Sequence, residues 1–191
     1  MISFFLLLLQ LFLVLILLVV FLGLLFWVWS GFISKSLFIP LPRQIFTDIK
    51  KSLLLKEGSV VYHLGCGGGR FIFFLAKNNP NASYIGVENS TFLYYVARIR
   101  LWYYEQKTGN HNVTIIKSDL LNQSLVNATH VFLYVYPNTM DDLISVFDKE
   151  LGTGVRLVSA SFKFTQKKPI AEVDLGRASS QLVRSLFVYE F

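Results

Sequence analysis

The first acidic or basic side chain in this chain of 191 residues is Lys35. Ahead of it, Ile2 to Phe32 is almost entirely Leu, Phe, Val, Ile and Trp, with Gln10 the only strongly polar interruption. Such a stretch has few destinations. As a helix, Phe4 to Trp29 is about 39 Å long at ~1.5 Å per residue, enough to cross a hydrocarbon layer of ~30 Å with some tilt. A cleaved signal peptide calls for a basic leading region, a shorter apolar core and a small-x-small cleavage site, and the sequence shows none of these. A buried core helix is a poor alternative, because the 157 residues from Lys35 onward do not easily surround so long an apolar rod. Trp27 and Trp29 close the segment, where indoles favour the headgroup level, and Lys35, Arg43, Lys50 and Lys51 follow. The positive-inside rule then puts the remainder on the cytoplasmic (or matrix) side. The expectation is a single-pass membrane anchor over 1–34, a linker over 35–43 and one domain over 44–191.

All 18 basic and 12 acidic residues lie after the apolar segment, for a net charge of +6. The basic residues are scattered and not striped, so nucleic acid is not an expected partner. Attraction to anionic headgroups accounts for the excess more simply. A single cysteine, Cys66, excludes an intrachain disulfide framework and a cysteine-based zinc site. His63, His111 and His130 show no ligand spacing, so no metal is expected. Five N-x-[ST] sequons, at Asn81, Asn89, Asn112, Asn122 and Asn127, suit chance in an Asn-rich sequence that the charge asymmetry turns inward.

The domain alternates between two periodicities. Pro40 and Pro42 break the chain, and Ile45, Ile49, Leu53 and Leu54 then recur at helical spacing over Gln44–Leu55. Apolar, β-branched runs at 59–64, 83–88, 113–117, 130–136 and 155–162 predict strands. Helices are predicted from Arg70 to about Lys77, from Thr91 to Glu105 and from Met140 to Leu151. Ile170 to Phe191 predicts one or two more strands, Leu182 to Phe191 being the clearer. Strands alternating with helices predict an α/β, Rossmann-like, doubly wound parallel sheet, since parallel neighbours require crossover connections.

Three strand ends carry the chemistry. Gly65, Gly67 and Gly69 follow the first strand and open a helix, where backbone turns sharply and approaches a ligand with no Cβ in the way. Glu88 ends the second strand, where a carboxylate can accept two hydrogen bonds from a ribose diol. Asp119 follows the third, within reach of an adenine edge. Each feature alone is weak: a tight turn, or a solvated loop charge. Together they converge on the carboxyl edge where open α/β sheets bind ligands. The G-C-G-G-G-R loop lacks the G-x-G-x-x-G spacing that seats a pyrophosphate, so it suits S-adenosylmethionine better than a dinucleotide.

His63-Leu64-Gly65-Cys66-Gly67-Gly68-Gly69-Arg70 resembles the first motif of class I S-adenosylmethionine-dependent methyltransferases. More closely, the chain resembles the small membrane-anchored lysine methyltransferases of the ATP synthase c-subunit and adenine nucleotide translocase, and their bacterial relatives. The similarity also includes the apolar segment, Pro40-Leu41-Pro42, Arg98-x-Arg100-x-Trp102, Ser118-Asp119-Leu120, Tyr136-Pro137, and Val155 to Val158 leading to Ser161-Phe162-Lys163-Phe164. The resemblance implies the class I methyltransferase fold, whose mainly parallel sheet ends in an antiparallel hairpin. It also implies His63, Gly65, Gly67, Gly69, Glu88 and Asp119 as cofactor-binding residues and a membrane-proximal protein lysine as acceptor.

Two positions depart from that motif. His63 stands where an Asp is usual, and Gly68 where a second Asp is common. A histidine can hydrogen-bond the cofactor's amino-acid end but adds no negative charge. No catalytic base stands out. Tyr136 and Pro137 are either a substrate-side strand end or core, and they lack the Asn/Asp-Pro-Pro-Tyr motif of amide and nucleobase methylation. Two other functions stay open: a membrane-anchored binding module that keeps the fold without turnover, and a lipid or small-molecule methyltransferase.

Overall fold

A computed structural model describes residues 2–33, 39–176 and 183–191. Residues 34–38, within the expected anchor end and linker, and Leu182, the expected start of the final strand, lie outside the described residues. The chain divides into two compact units, 1–38 and 39–191.

The described residues of the first unit form one unbroken helix, α1 (Ile2–Ile33). Leu dominates it, and an unbranched Leu loses little rotamer freedom in a helix. Every residue from Phe4 to Val28 is exposed, and that stretch is long and apolar enough to cross a membrane.

The second unit is an α/β domain on one seven-stranded sheet. The strands are β1 (Val60–Leu64), β2 (Ser83–Glu88), β3 (Val113–Lys117), β4 (His130–Leu133), β5 (Arg156–Ala160), β6 (Ala171–Asp174) and β7 (Ser185–Glu190). Their spatial order is β3-β2-β1-β4-β5-β7-β6. The pairings from β3 through β5 are parallel, and β7 runs antiparallel to both β5 and β6. The expected parallel sheet with an antiparallel end is therefore present.

Helices cover both faces, which is why the inner strands are apolar on both sides. On one face lie α2 (Phe46–Leu53), α3 (Arg70–Asn78) and α4 (Thr91–Thr108), with Ile45, Ile49, Phe71, Leu75 and Leu101 buried. On the other lies α5 (Pro137–Glu150), with Met140, Leu143 and Phe147 packed on Leu64, Val131 and Tyr189. Each of these side chains contributes on the order of 1.5–3 kcal/mol of burial. The chain winds from β1 outward to β3, then returns to the far side of β1 with β4. The crevice where that order reverses, between β1 and β4, is the position from which open sheets bind ligands.

Two predicted boundaries shift for local reasons. The helix expected over Gln44–Leu55 is a 3₁₀ turn (Arg43–Ile45) followed by α2, which stops where Leu54 turns left-handed at φ 54°. The fourth strand ends at Leu133, short of Tyr136, because Pro137 begins α5 three residues earlier than expected. Its fixed φ suits the first helical position, and it holds Tyr136 extended at ψ 154°.

Candidate functional site

The glycine loop leaves β1 under a double constraint. Gly65 N–H and Cys66 N–H both donate to the Val87 carbonyl, at 2.9 and 3.0 Å, so the chain pivots about the end of β2. Gly65, Gly67 and Gly69 then adopt φ of +71°, +56° and +79°, a region that L side chains rarely enter. Gly69 caps α3.

Glu88 holds this loop in place. Its side chain is buried, with one carboxylate oxygen accepting from Gly67 N–H at 2.7 Å and the other from Ser90 N–H at 2.8 Å. Burial pushes its pKa upward against the opposing pull of the Ser90, Gly67 and Asn89 amides. One side chain thus joins the loop after β1 to the loop that starts α4, where Ser90 Oγ accepts from Leu93 N–H.

Asp119 follows β3 at the same edge. It is exposed, and its Oδ1 accepts from Leu121 N–H at 3.1 Å, capping the short turn Leu120–Asn122. Ser118 N–H donates to the Glu88 carbonyl and keeps the ends of β2 and β3 level. The three predicted strand ends are therefore brought to one sheet edge.

His63 has a different setting. Its ring is buried against Phe132 (4.9 Å between centroids) and Phe71 (5.7 Å), and Nδ1 has no hydrogen-bond partner. Burial lowers its pKa to about 3, so the imidazole is neutral at physiological pH. Cys66 is also inert: burial, with the Glu88 charge second, pushes its thiol far up, away from the nucleophilic thiolate. Its sulfur fits because Gly86 has no side chain; a Cβ there would stand 2.9 Å from Sγ.

The structure gives Gly68 a physical reason. Arg100, reaching over from α4, donates through Nη1 to the Gly68 carbonyl at 2.6 Å. A Cβ on Gly68 would fall within 3.1 Å of Val96 Cγ1 and on top of that guanidinium. Gly68→Ala is expected to cost about 1–2 kcal/mol through this crowding. In an Arg100→Ala background the cost should fall by about half, because the nearer crowding partner is gone and only Val96 Cγ1 remains. Urea-unfolding midpoints of the four proteins measure the coupling, and strictly additive costs would refute it.

Across the crevice, Val135 Cγ1 stands 3.3 Å from where a Gly65 Cβ would be, so the loop after β4 faces the glycine loop. Tyr134, in that segment, has its phenol pKa raised by burial and by Tyr136. The same edge holds a backbone feature that the sequence motif did not announce: Ser161, just past β5, adopts φ +69° with its N–H donating to the Ser185 carbonyl. Side-chain-bearing residues hold such conformations only where surrounding contacts impose them, commonly at sites. The Arg100 contact was reachable only as a motif residue. Its target, a backbone carbonyl 32 positions away, leaves no trace in spacing.

Residues 63–171 match the family model described as the ANTKMT methyltransferase domain. A protein-lysine N-methyltransferase of Saccharolobus islandicus is 28% identical over 134 residues, covering 69% of this chain and 80% of that protein. The human lysine N-methyltransferase of the ATP synthase c-subunit is 26% identical over 133 residues, which cover 69% of this chain but only 54% of that protein. Among solved structures, an RNA methyltransferase from Salinibacter ruber, crystallised with S-adenosyl-L-homocysteine, superposes with a TM-score of 0.71. It is 24% identical, and the superposition covers 80% of this chain and 93% of that one. A precorrin-6Y methyltransferase from Geobacter metallireducens gives 0.59 at 13% identity, over 83% of this chain and 91% of that one. At these identities the structures establish the methyltransferase fold.

Proposed function

The chain belongs to the ANTKMT methyltransferase domain family, and on that premise we propose that it is a membrane-anchored enzyme that transfers methyl groups to a protein lysine in or beside the bilayer. Its cofactor is S-adenosylmethionine. When bound, this cofactor supplies a methyl group on a sulfonium, already activated for transfer, so the protein's own work is mostly placement. Holding reactants in line is worth about 7–11 kcal/mol in well-oriented systems.

The residues present fit such a group. Glu88 accepts the Gly67 and Ser90 amides directly and the Asn89 amide also draws on it, and a carboxylate has about four acceptor sites, so capacity remains for a ribose hydroxyl. Gly65, Gly67 and Gly69 let the backbone approach a ligand closely, and Asp119 stands beside them at the sheet edge. We assign cofactor binding to these five residues. His63 completes the assigned set as a neutral ring that shapes the floor of the loop through Phe71 and Phe132. The Val135 side of the crevice is assigned to the acceptor. There the Tyr134 phenol, its pKa raised, keeps its proton at neutral pH and orients an amine by hydrogen bonding, not by taking a proton.

α1 is assigned as the anchor, with the domain on the cytoplasmic or matrix side that the basic residues following the apolar segment favour. Tethering raises the effective concentration of membrane-proximal acceptors. The observation that carries this function is the Glu88 carboxylate, held at the carboxyl edge by the loop it organises, inside the stretch that matches the family.

The test is methyl transfer by the full chain from methyl-labelled S-adenosylmethionine to a membrane fraction, followed by separation of protein from lipid and acid hydrolysis. Label in methylated lysine is the expected result. Label confined to the organic phase would indicate a lipid acceptor. A protein that binds the cofactor and labels nothing would be a binding module.

A further inference from the structure

Helix α4 carries two apolar stripes where a helix covering a sheet needs one. Ala97, Leu101 and Tyr104 are buried against the sheet. On the outer side Tyr95, Ile99, Trp102 and Tyr103 are about 60% exposed or more (61, 68, 62 and 59%). Their spacing of four, three and one puts them on one face. Single exposed apolar residues are ordinary on a folded surface; a contiguous patch of four on one helix marks an interaction surface.

The charges around the stripe select its occupant. The one acid in α4, Glu105, is partly buried and faces His111 at 3.3 Å, so no exposed residue of the helix is acidic. Arg98 and Lys107 flank the stripe, with Lys107 Nζ 5.7 Å from the centre of the Tyr103 ring. Arg100 reaches the Gly68 carbonyl from the same helix, beside Arg70 at the start of α3. Phe46 packs on Phe71 at 5.0 Å, which brings the Arg43 turn to the same corner. Mutual repulsion among Arg43, Arg70 and Arg100 adds to burial in lowering the Arg100 pKa. Tyrosine and tryptophan, which combine an apolar ring with a polar tip, surrounded by cations, match the headgroup layer of an anionic bilayer.

We infer that the exposed face of α4 docks on anionic lipid, with Tyr95, Ile99, Trp102 and Tyr103 entering the headgroup layer and Arg98 and Lys107 meeting phosphates. This contact rests on α1 anchoring the chain in the same bilayer. Because α4 starts just after Glu88, docking also fixes the carboxyl edge of the sheet close to the membrane surface.

The test uses the full chain with Ile99→Cys or Val126→Cys, each labelled with an environment-sensitive fluorophore. The native Cys66 is buried and unreactive, and Val126, 67% exposed, lies outside α4. The proteins are reconstituted into vesicles of phosphatidylcholine with phosphatidylglycerol, carrying a headgroup-region nitroxide lipid, and flotation is scored in parallel. The expected result is co-flotation of both proteins, with the label at 99 quenched at least about twofold more than the label at 126, and weaker quenching in pure phosphatidylcholine or at high salt. Equal quenching at the two sites on floating protein overturns α4 docking and leaves the anchor standing. Failure to float overturns both. A concentration-dependent emission shift at position 99 in detergent, without lipid, assigns the stripe to a second copy of the chain and overturns the lipid contact.

Discussion

Glu88→Ala is expected to abolish cofactor binding and to loosen the fold at the same time. The substitution removes the acceptor for Gly67 N–H and for Ser90 N–H together, and hydrogen bonds to a charged group are worth about 1.5–3 kcal/mol each. The carboxylate is desolvated by burial, which offsets part of that gain, so a net loss of about 2–4 kcal/mol in unfolding free energy is expected. Affinity for S-adenosylmethionine should fall by at least about 100-fold, or ~2.7 kcal/mol, beyond any loss of folded protein. Glu88→Gln keeps one acceptor oxygen and should fall in between. Calorimetric titration of the full chain in detergent, with a thermal melt on the same samples, separates the two effects. A folded Glu88→Ala protein that binds with unchanged affinity would remove Glu88 from the cofactor site.

Acid is expected to unfold the domain largely through His63. The imidazole has a folded pKa of about 3 against an ordinary value of 6.5. A histidine whose folded pKa lies below its unfolded value contributes stability that is complete above pH 6.5 and is given up as the pH falls toward 3. The expected slope is about 1.4 kcal/mol per pH unit, amounting to as much as ~5 kcal/mol across that window. Glu88 works in the opposite direction. Its raised folded pKa contributes stability below its ordinary 4.5 that is lost as the pH rises through the folded value, so it masks part of the histidine effect at the acid end. Comparison with His63→Phe isolates the histidine, since a phenyl ring suits a site lined by Phe71 and Phe132 and does not titrate. The variant should be about 1 kcal/mol more stable at neutral pH, because the unpaired Nδ1 is gone, and far less sensitive to acid. Parallel pH profiles for the two proteins would exclude His63 as the source.

Most of the architecture could be read from the order of residues, because it depends on short-range signals. β2 and β3 have the predicted limits, since each is an apolar run closed by polar residues. Gly65, Gly67 and Gly69 carry positive φ in the structure, as a loop built for backbone approach requires. What spacing could not reveal was long-range. The role of Glu88 as a clamp on Gly67 depends on an amide 21 positions away. The fit of Arg100 against Gly68 depends on helix packing across 32. His63 was legible as a departure from a motif, but its two aromatic neighbours come from α3 and β4 and become neighbours only on folding. Ser161 was legible only as a residue of the family resemblance, and its left-handed backbone was not, because serine does not imply that conformation.

The antiparallel end of the sheet bears on how a ribosome delivers this domain. β7 comes after β6 in the chain but sits between β5 and β6, and the only ladder β6 forms among the described residues is with β7. While a nascent chain has emerged only as far as β6, β6 lacks its partner and the outer edge of β5 stands open. An open apolar strand edge invites pairing with another chain. At translation rates of roughly 5–20 residues per second, the stretch of about 30 residues from Ser161 to Glu190 prolongs that state by about 2–6 seconds. Val158, Val188 and Leu186 are all buried once β7 arrives, so its insertion closes the edge and completes the core in one event. A chain that stalls within this stretch is therefore expected to aggregate more readily than the completed domain, whose β5 edge β7 has closed.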